Sequence, residues 1–442
     1  MTGRSRVDPA RLVAFEVLKA VRVDDAYTNL VLPSLLRRHA LTGRDAAFAT
    51  ELAAGTIRWR GLYDAVLAAC IDRPLAKVEA KVLDALRLGC HQLLAMRVPS
   101  HAAISTTVDL VRDRVSAGAA GFANAVLRTV SQRDRASWVA EVAPDPATAF
   151  SHPVWVVDRL REALGDDAEL PALLAADNEP PRVTLVARPG RASRDELPGE
   201  PTALSPYAVT MAGGDPGELP AVAAGRAGVQ DEGSQLVAIA AATAPVDGRD
   251  SRWLDLCAGP GGKAALLAAL AAERGAGLVA SERQPHRAGL VRAALRGADG
   301  VTAVVAADGT AAPYRAAAFD RVLVDAPCTG LGALRRRPEA RWRRRPADLD
   351  QLVPLQRRLV DAALDLTRPG GIVLYATCSP VLAETRGIVE AVLAGRGDVT
   401  LDDAAPLLPQ VSDATGPLPG TIQLWPHRHG TDAMFVAVLR RR

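Results

Sequence analysis

The stretch Trp253-Leu-Asp255-Leu-Cys257-Ala258-Gly259-Pro260-Gly261-Gly262-Lys263 passes from a short apolar run through a glycine turn into the Ala/Leu-rich segment Ala264–Glu273. That order reads as strand, loop and helix, because glycines let the chain turn sharply and let a ligand approach the backbone. The alternation continues downstream. Further apolar runs suited to strands are Leu278–Ser281, Val301–Val305, Arg321–Val324 and Ile372–Tyr375. Helical spacing covers His286–Leu295 and Pro354–Leu366, the latter with Leu355, Leu359, Ala362 and Leu366 on one face. Strands alternating with helices predict a doubly wound, mostly parallel α/β sheet. Ligands of such sheets bind at the carboxyl ends of the strands.

The loop admits three ligand readings besides a plain strand-to-helix turn. A phosphate-cradling loop needs Gly-x4-Gly-Lys-Ser/Thr, and Cys257 and Ala264 stand at its two ends, so it fails. A dinucleotide loop needs Gly-x-Gly-x-x-Gly, but Ala264 replaces the last glycine and Pro260 fills the first gap. The third reading is the glycine loop of an S-adenosylmethionine methyltransferase. Glu282 closes the second strand, where a carboxylate can accept ribose hydroxyls, and Asp308 closes the third, suited to an adenine amino group. One such carboxylate commonly caps a helix. Two at successive strand ends, after a glycine loop, point to a nucleoside. Arg287 lies either near this site or on a solvated helix face.

The cysteines are Cys70, Cys90, Cys257, Cys328 and Cys378. They are odd in number and form no Cys-x-x-Cys pair, so no zinc site or disulfide framework is expected, and a reducing compartment such as the cytoplasm is. Cys70 and Cys90 fall inside helical patterns and read as core. Cys257 reads as packed within the loop. The fourth strand ends in Asp325-Ala-Pro-Cys328-Thr-Gly-Leu-Gly and the fifth in Tyr375-Ala-Thr-Cys378-Ser-Pro. Both thiols therefore reach the ligand rim, where thiol chemistry is expected of them. Lys263, one of only four lysines, suits lowering a neighbouring thiol pKa or meeting a carboxylate. A cation at a helix start opposes the helix dipole, which argues against a bare structural role. His427 and His429 lack partners at ligand spacing, so no metal is expected.

Ahead of this region the character changes. Val13, Val17 and Val21 recur on one helical face, and similar patterns run through Leu30–Leu36, Ala47–Ile57, Leu62–Ile71 and Val82–Met96. Asp8 before Pro9 suits a helix start. Residues 1–135 thus read as an all-helical domain. Residues 136–225 read as a connector with a helix near Val154–Leu164, a short β-like run Val183–Val186 and Pro/Gly-rich loops. Residues 226–442 form the α/β domain. The net charge of +3 hides +7 in residues 1–135 and −7 in residues 136–230, so the helical domain is the basic one. A second basic stretch, residues 335–345, holds seven Arg and one Glu around Trp342. Its position after Cys328 suggests a phosphate- and base-contacting patch beside the site, from Arg335, Arg336, Arg337, Arg341 and Trp342. With 49% hydrophobic and 23% charged residues the chain is neither disordered nor collagen-like. No apolar run reaches a membrane-spanning length, and Met1–Phe15 does not read as a secretory signal.

The loop Cys257–Lys263, Asp325-Ala-Pro-Cys328 and Thr377-Cys378-Ser379 together resemble the RNA 5-methylcytosine methyltransferases of the RsmB/Sun family. Gln230-Asp-Glu-Gly-Ser234, Arg335 to Trp342 and Gly430-Thr-Asp432-Ala-Met-Phe435 also fit its pattern. Ala47-Phe-Ala-Thr-Glu51, Gly55-Thr-Ile-Arg-Trp59 and Phe122 to Arg128 resemble NusB-like RNA-binding domains, which points to the branch acting on 16S ribosomal RNA. Departures exist: Thr385 and Arg386 follow Glu384 where the family often has Asn-Glu, and Ala264 follows the loop lysine where Thr or Ser is frequent.

The resemblance implies a class I, Rossmann-like methyltransferase domain, S-adenosylmethionine as cofactor, RNA as partner and a monomer. The implied cofactor site comprises Cys257, Ala258, Gly259, Pro260, Gly261, Gly262, Lys263, Glu282, Asp308 and Asp325. It assigns the nucleophile to Cys378 and the release step to Cys328, with Asp325 on the cytosine edge. Cytosine C5 is too weak a nucleophile to take a methyl group unaided, and a thiolate adding to C6 activates it. Transfer RNA as substrate, and a non-catalytic assembly factor, are the alternatives.

Overall fold

The computed structural model describes residues 7–442 and divides into two compact units. The first comprises residues up to 158, 168–180 and 334–343; the second comprises residues 159–167, 181–333 and 344–442. The expected connector is therefore split. Most of residues 136–180 belong to the helical unit, and the chain from residue 181 belongs to the α/β unit. The reading of Met1–Phe15 falls partly on residues 1–6, outside the described residues.

In the helical unit the expected patterns become Pro9–Val23, Thr28–Arg38, Gly43–Arg58, Arg60–Cys70 and Ala80–Leu94, followed by Ser100–Arg114 and Ala117–Val130. Asp8 caps the first helix by accepting the Arg11 N–H, and Pro9 occupies its first turn, where a missing N–H costs nothing. Val13, Ala14 and Val17 of this helix are fully buried against Leu52 and Ala53 of the third. Each buried Val or Leu side chain of this kind stabilises the fold by about 1.5–3 kcal/mol.

The α/β unit holds a large sheet with strands β1 (Arg252–Asp255), β2 (Gly277–Glu282), β3 (Val301–Ala306), β4 (Phe319–Asp325), β5 (Thr367–Thr377), β6 (Val399–Asp402), β7 (Ile422–Gln423) and β8 (Phe435–Arg441). The order is β6-β8-β5-β4-β1-β2-β3, with β7 against β8. Strands β5 to β3 of that order are parallel; beyond β5, β8 pairs antiparallel with β5 and β6 pairs antiparallel with β8. The sequence reading found the five parallel strands and missed the antiparallel ones. Alternation along each strand sorts the core into two layers. Trp253, Leu323, Ile372, Leu374, Val436 and Val438 join one cluster with Leu266 and Leu270 of the helix Gly262–Glu273. Leu254, Val322, Val373, Tyr375, Phe435 and Leu439 join the other with Leu359 and Ala363 of the helix Leu349–Leu366. Both faces of the sheet are covered, as a parallel sheet requires.

Residues 184–229 form a small antiparallel sheet in the order Glu200–Pro201, Ala208–Thr210, Thr184–Ala187, Ala227–Val229. Leu185 and Val209 build its own core while Val186 joins the large cluster, so this module is fastened to the α/β unit. Among the described residues no helix is long and apolar enough to cross a membrane.

Candidate active site

Strand register gathers the marked residues at one edge. Asp255 ends β1 opposite Ala280 and Leu323. Glu282 ends β2 opposite Ala306, just before Asp308. Asp325 ends β4 opposite Ala376, just before Cys378.

The glycine loop is shaped by what it touches. Gly261 sits at φ +115°, and a Cβ there would stand 2.6 Å from the Ala294 side chain, so only glycine fits. A Cβ at Gly259 would stand 2.1 Å from Glu282 Oε2. Glu282 accepts the N–H groups of Gly259 at 3.1 Å and Gln284 at 2.9 Å. Arg287 donates to the Gly259 carbonyl at 2.6 Å, which settles its two readings in favour of the loop. Cys257 is half-buried, and burial, then the negative charge of Asp255, pushes its thiol far up. Asp308 accepts the Thr310 N–H at 2.9 Å and its hydroxyl at 2.8 Å, which hold the carboxyl below its usual range.

Next to the loop lie two acids, an ammonium and two thiols. Lys263 Nζ is 2.9 Å from Asp325 Oδ2. Burial pulls Lys263 down, but Asp325 outweighs it and the net shift is upward, so the ammonium persists. Cys378 adds to that upward pull. Asp255 is fully buried, and its Oδ2 has no hydrogen-bond partner among the described residues. Burial, then the Asp325 charge, raises it to about 8 against the opposing pull of Lys263. It is therefore mostly a neutral acid at pH 7. Cys328 Sγ and Cys378 Sγ are 3.5 Å apart. The bond to Cys378, then burial, pushes the Cys328 thiol far up. Cys378 is the more exposed of the two.

Several residues here escaped the sequence reading. Asp255 was taken only as a strand end. Thr329, Gln356 and Glu384 form a buried hydrogen-bonded group behind the thiols. Gly332 donates its N–H to the Cys378 carbonyl at 2.9 Å, and a Cβ there would meet the Ala433 carbonyl oxygen at 2.2 Å. Glu384 and Gly332 stand within a few residues of the cysteines, which was a usable signal; Gln356, from a distant helix, offered none. The segments around Gln230 and Gly430 also meet: Asp231 accepts the N–H groups of Gly233 at 3.0 Å and Asp432 at 3.1 Å.

The basic segment departs from the expected patch most clearly at Arg341 and Trp342. Residues 334–343 belong to the helical unit and are packed into it. Arg341 is fully buried, donating to the carbonyls of Ser151 and Asp177 and to Asn178 Oδ1 at 2.7–3.1 Å. Burial lowers its guanidinium to about 9. Trp342 packs on the helical core and donates Nε1–H to the Ile57 carbonyl at 2.7 Å. Arg337 stacks 5.5 Å from the Tyr27 ring centre, and Arg335 and Arg336 are part-buried. The neighbouring Glu339 accepts the Thr28 hydroxyl at 2.9 Å. An irregular arginine-rich segment shows no periodicity, so nothing in the sequence told which way these side chains point.

Residues 241–440 match the family model described as 16S rRNA methyltransferase RsmB/F, and residues 8–132 match the NusB family. Rv1407 of Mycobacterium tuberculosis, named as a methyltransferase, is 53% identical over the whole of both chains. Ribosomal RNA small subunit methyltransferase B of Pseudomonas syringae pv. tomato is 34% identical over 87% of this chain and 86% of its own. The crystal structure of PH0851 aligns with a TM-score of 0.80 at 22% identity, covering 98% of this chain and 99% of that one, which fits the fold. The glycine loop, the strand-end acids and the thiol pair thus stand in a chain that belongs to the RsmB/F family of 16S rRNA methyltransferases.

Proposed function

We propose that this protein methylates C5 of a cytosine in 16S ribosomal RNA, with S-adenosylmethionine as donor and Cys378 as covalent nucleophile. The observation that carries this reading is the thiol pair, 3.5 Å apart, at the carboxyl ends of β4 and β5 beside the Lys263–Asp325 ion pair.

The residues suit the donor. Glu282 spends its visible hydrogen bonds on Gly259 and Gln284, and a carboxylate has about four acceptor sites, so it keeps capacity for a ribose diol. Asp308 remains partly exposed, with room to accept an adenine amino group. Gly261, which tolerates no Cβ, and Gly259, whose Cβ would displace the Glu282 carboxylate, leave the backbone open to close approach. When bound, S-adenosylmethionine supplies an electrophilic methyl group.

The two thiols divide the work by their surroundings. Cys328 is the more buried thiol and is pushed up, which leaves Cys378 the readier to carry charge; the nearby Lys263 ammonium favours it too. Cys378 adds to cytosine C6, so electron density moves to C5. Lys263 occupies one oxygen of Asp325, and the other suits the cytosine N3/N4 edge. After methylation a base takes the C5 proton as the Cys378–C6 bond breaks; Cys328 is in place to take it as the thiolate, once its own proton has passed to solvent. The base must be unpaired or flipped to reach the thiols. The NusB-family unit, with its basic balance, supplies RNA affinity that falls with salt.

Bisulfite mapping of RNA from cells with and without the gene tests this. Loss of one methylcytosine from 16S RNA is expected; loss confined to transfer RNA would refute the substrate.

A further inference from the structure

Glu384 is fully buried in the turn Leu382–Glu384 and forms no ion pair among the described residues. A buried carboxylate without a cation is costly unless hydrogen bonds replace its water. Four donors do so here. Oε1 accepts the Thr329 N–H at 2.8 Å and Gln356 Nε2–H at 2.9 Å. Oε2 accepts the Thr329 hydroxyl at 2.5 Å and the Ser379 hydroxyl at 2.6 Å.

The identity of those donors matters. Thr329 follows Cys328, and Ser379 follows Cys378. One carboxylate therefore holds the residue next to each thiol, and the two hydroxyls lie 2.9 Å from each other. Gln356 extends the clasp by also donating to the Pro327 carbonyl at 2.9 Å. On the far side of Cys328, Arg344 donates to the carbonyls of Thr329 and Cys328. The β4–β5 ladder and the Gly332-to-Cys378 bond align the two backbones. Glu384 is the group that ties together the turns carrying the side chains.

We propose that Glu384 is a positioning residue: it sets the separation of Cys328 and Cys378 and so couples formation of the RNA adduct to its release. The second half rests on the cytosine-C5 reading above; the first half does not. Proton transfer between groups in contact is sensitive to displacements of about 1 Å, which can cost about 100-fold. Glu384→Gln keeps the shape and lets the hydroxyls reorient, whereas Glu384→Ala removes every acceptor.

The test uses the full-length protein and a thiol oxidant as a ruler. Diamide joins two adjacent thiols into a disulfide, taking up their two protons and two electrons. The Cys328–Cys378 linkage is then quantified by peptide mass. Wild type and Glu384→Gln should cross-link at similar rates, and Glu384→Ala slower by about tenfold or more, with S-adenosylhomocysteine affinity unchanged. With RNA and S-adenosylmethionine, Glu384→Ala should show kcat lowered about 100-fold, KM for RNA nearly unchanged, and an adduct that survives denaturation. Should Glu384→Ala not fold, Ser379→Ala removes one donor and is expected to slow the linkage in the same direction. Cross-linking at the wild-type rate in the folded variant overturns the proposal, whatever the mechanism. Slowed cross-linking with no RNA adduct in any variant, Cys328→Ala included, supports the geometric role and refutes the cytosine-adduct reading.

Discussion

In Trp253–Lys263 and the strand ends that follow it, side chains marked by chemistry arrive at a common edge; in residues 335–343, side chains marked by charge turn into the helical unit. Asp255, Glu282 and Asp325 end three strands whose register is fixed by alternating core residues. Arg341 and Trp342, by contrast, spend their N–H groups on carbonyl and amide oxygens of their own unit. A residue at the end of a patterned element is placed by the pattern. A residue in an irregular basic segment is placed by partners far away in sequence, here Ile57, Ser151 and Asn178. Charge density alone therefore does not identify a nucleic-acid surface.

The comparison breaks most visibly at Cys378. If the strand-end residues carry the reaction, Cys378→Ala should lower transfer of labelled methyl to ribosomal RNA by about 10^4-fold or more, as loss of a nucleophile does. Activity within tenfold of wild type would remove the central role of that edge.

Asp255 offers the next largest effect, in stability. The folded protein holds its proton to about pH 8, while the unfolded chain releases it near the ordinary 3.8. A group whose folded pKa is raised stabilises at low pH, and that stabilisation is lost as pH rises through the window between the two values. Asp255→Asn does not titrate. Its stability relative to wild type should therefore rise between about pH 4 and pH 8, by an amount on the order of several kcal/mol. Parallel denaturation curves for the two proteins across that range would show that Asp255 is not held neutral.

Arg341→Ala should cost about 3 kcal/mol, since it strands buried carbonyls, and should leave methyl transfer per folded molecule nearly unchanged. The exposed neighbour Arg345 is the control: Arg345→Ala should change stability by less than about 0.5 kcal/mol. Unchanged stability in Arg341→Ala, with a reduced salt slope of RNA binding, would restore the RNA-contact reading. Trp342→Phe, which loses the bond to Ile57, should cost about 1 kcal/mol by the same measurement.

Much of the fold was legible because its periodicities are clean. Five parallel strands, three of the helices flanking them and the first five helices of the chain were found from spacing, whereas Ser100–Arg114, Ala117–Val130, Glu232–Thr243 and Arg386–Gly395 were not singled out. The antiparallel strands β6 and β8 were not: Val399–Asp402 is short, and Phe435–Arg441 is apolar with an arginine end that reads equally as a tail. The gathering of the glycine loop, the strand-end acids and the two thiols at one edge was legible because single residues there sit next to glycine or proline in strand-end turns. Asp255 and Glu384 were not, because their importance lies in burial and in partners from other elements. A carboxylate in a sequence looks the same whether it faces water or four buried donors.

The central claim, two thiols with unequal tasks at one site, is tested most directly by incubating Cys328→Ala with S-adenosylmethionine and ribosomal RNA, then denaturing. The expected result is a persistent RNA–protein adduct through Cys378 at a cytosine already methylated on C5, absent from Cys378→Ala. An adduct that forms in Cys378→Ala, or full turnover by Cys328→Ala without one, would contradict it.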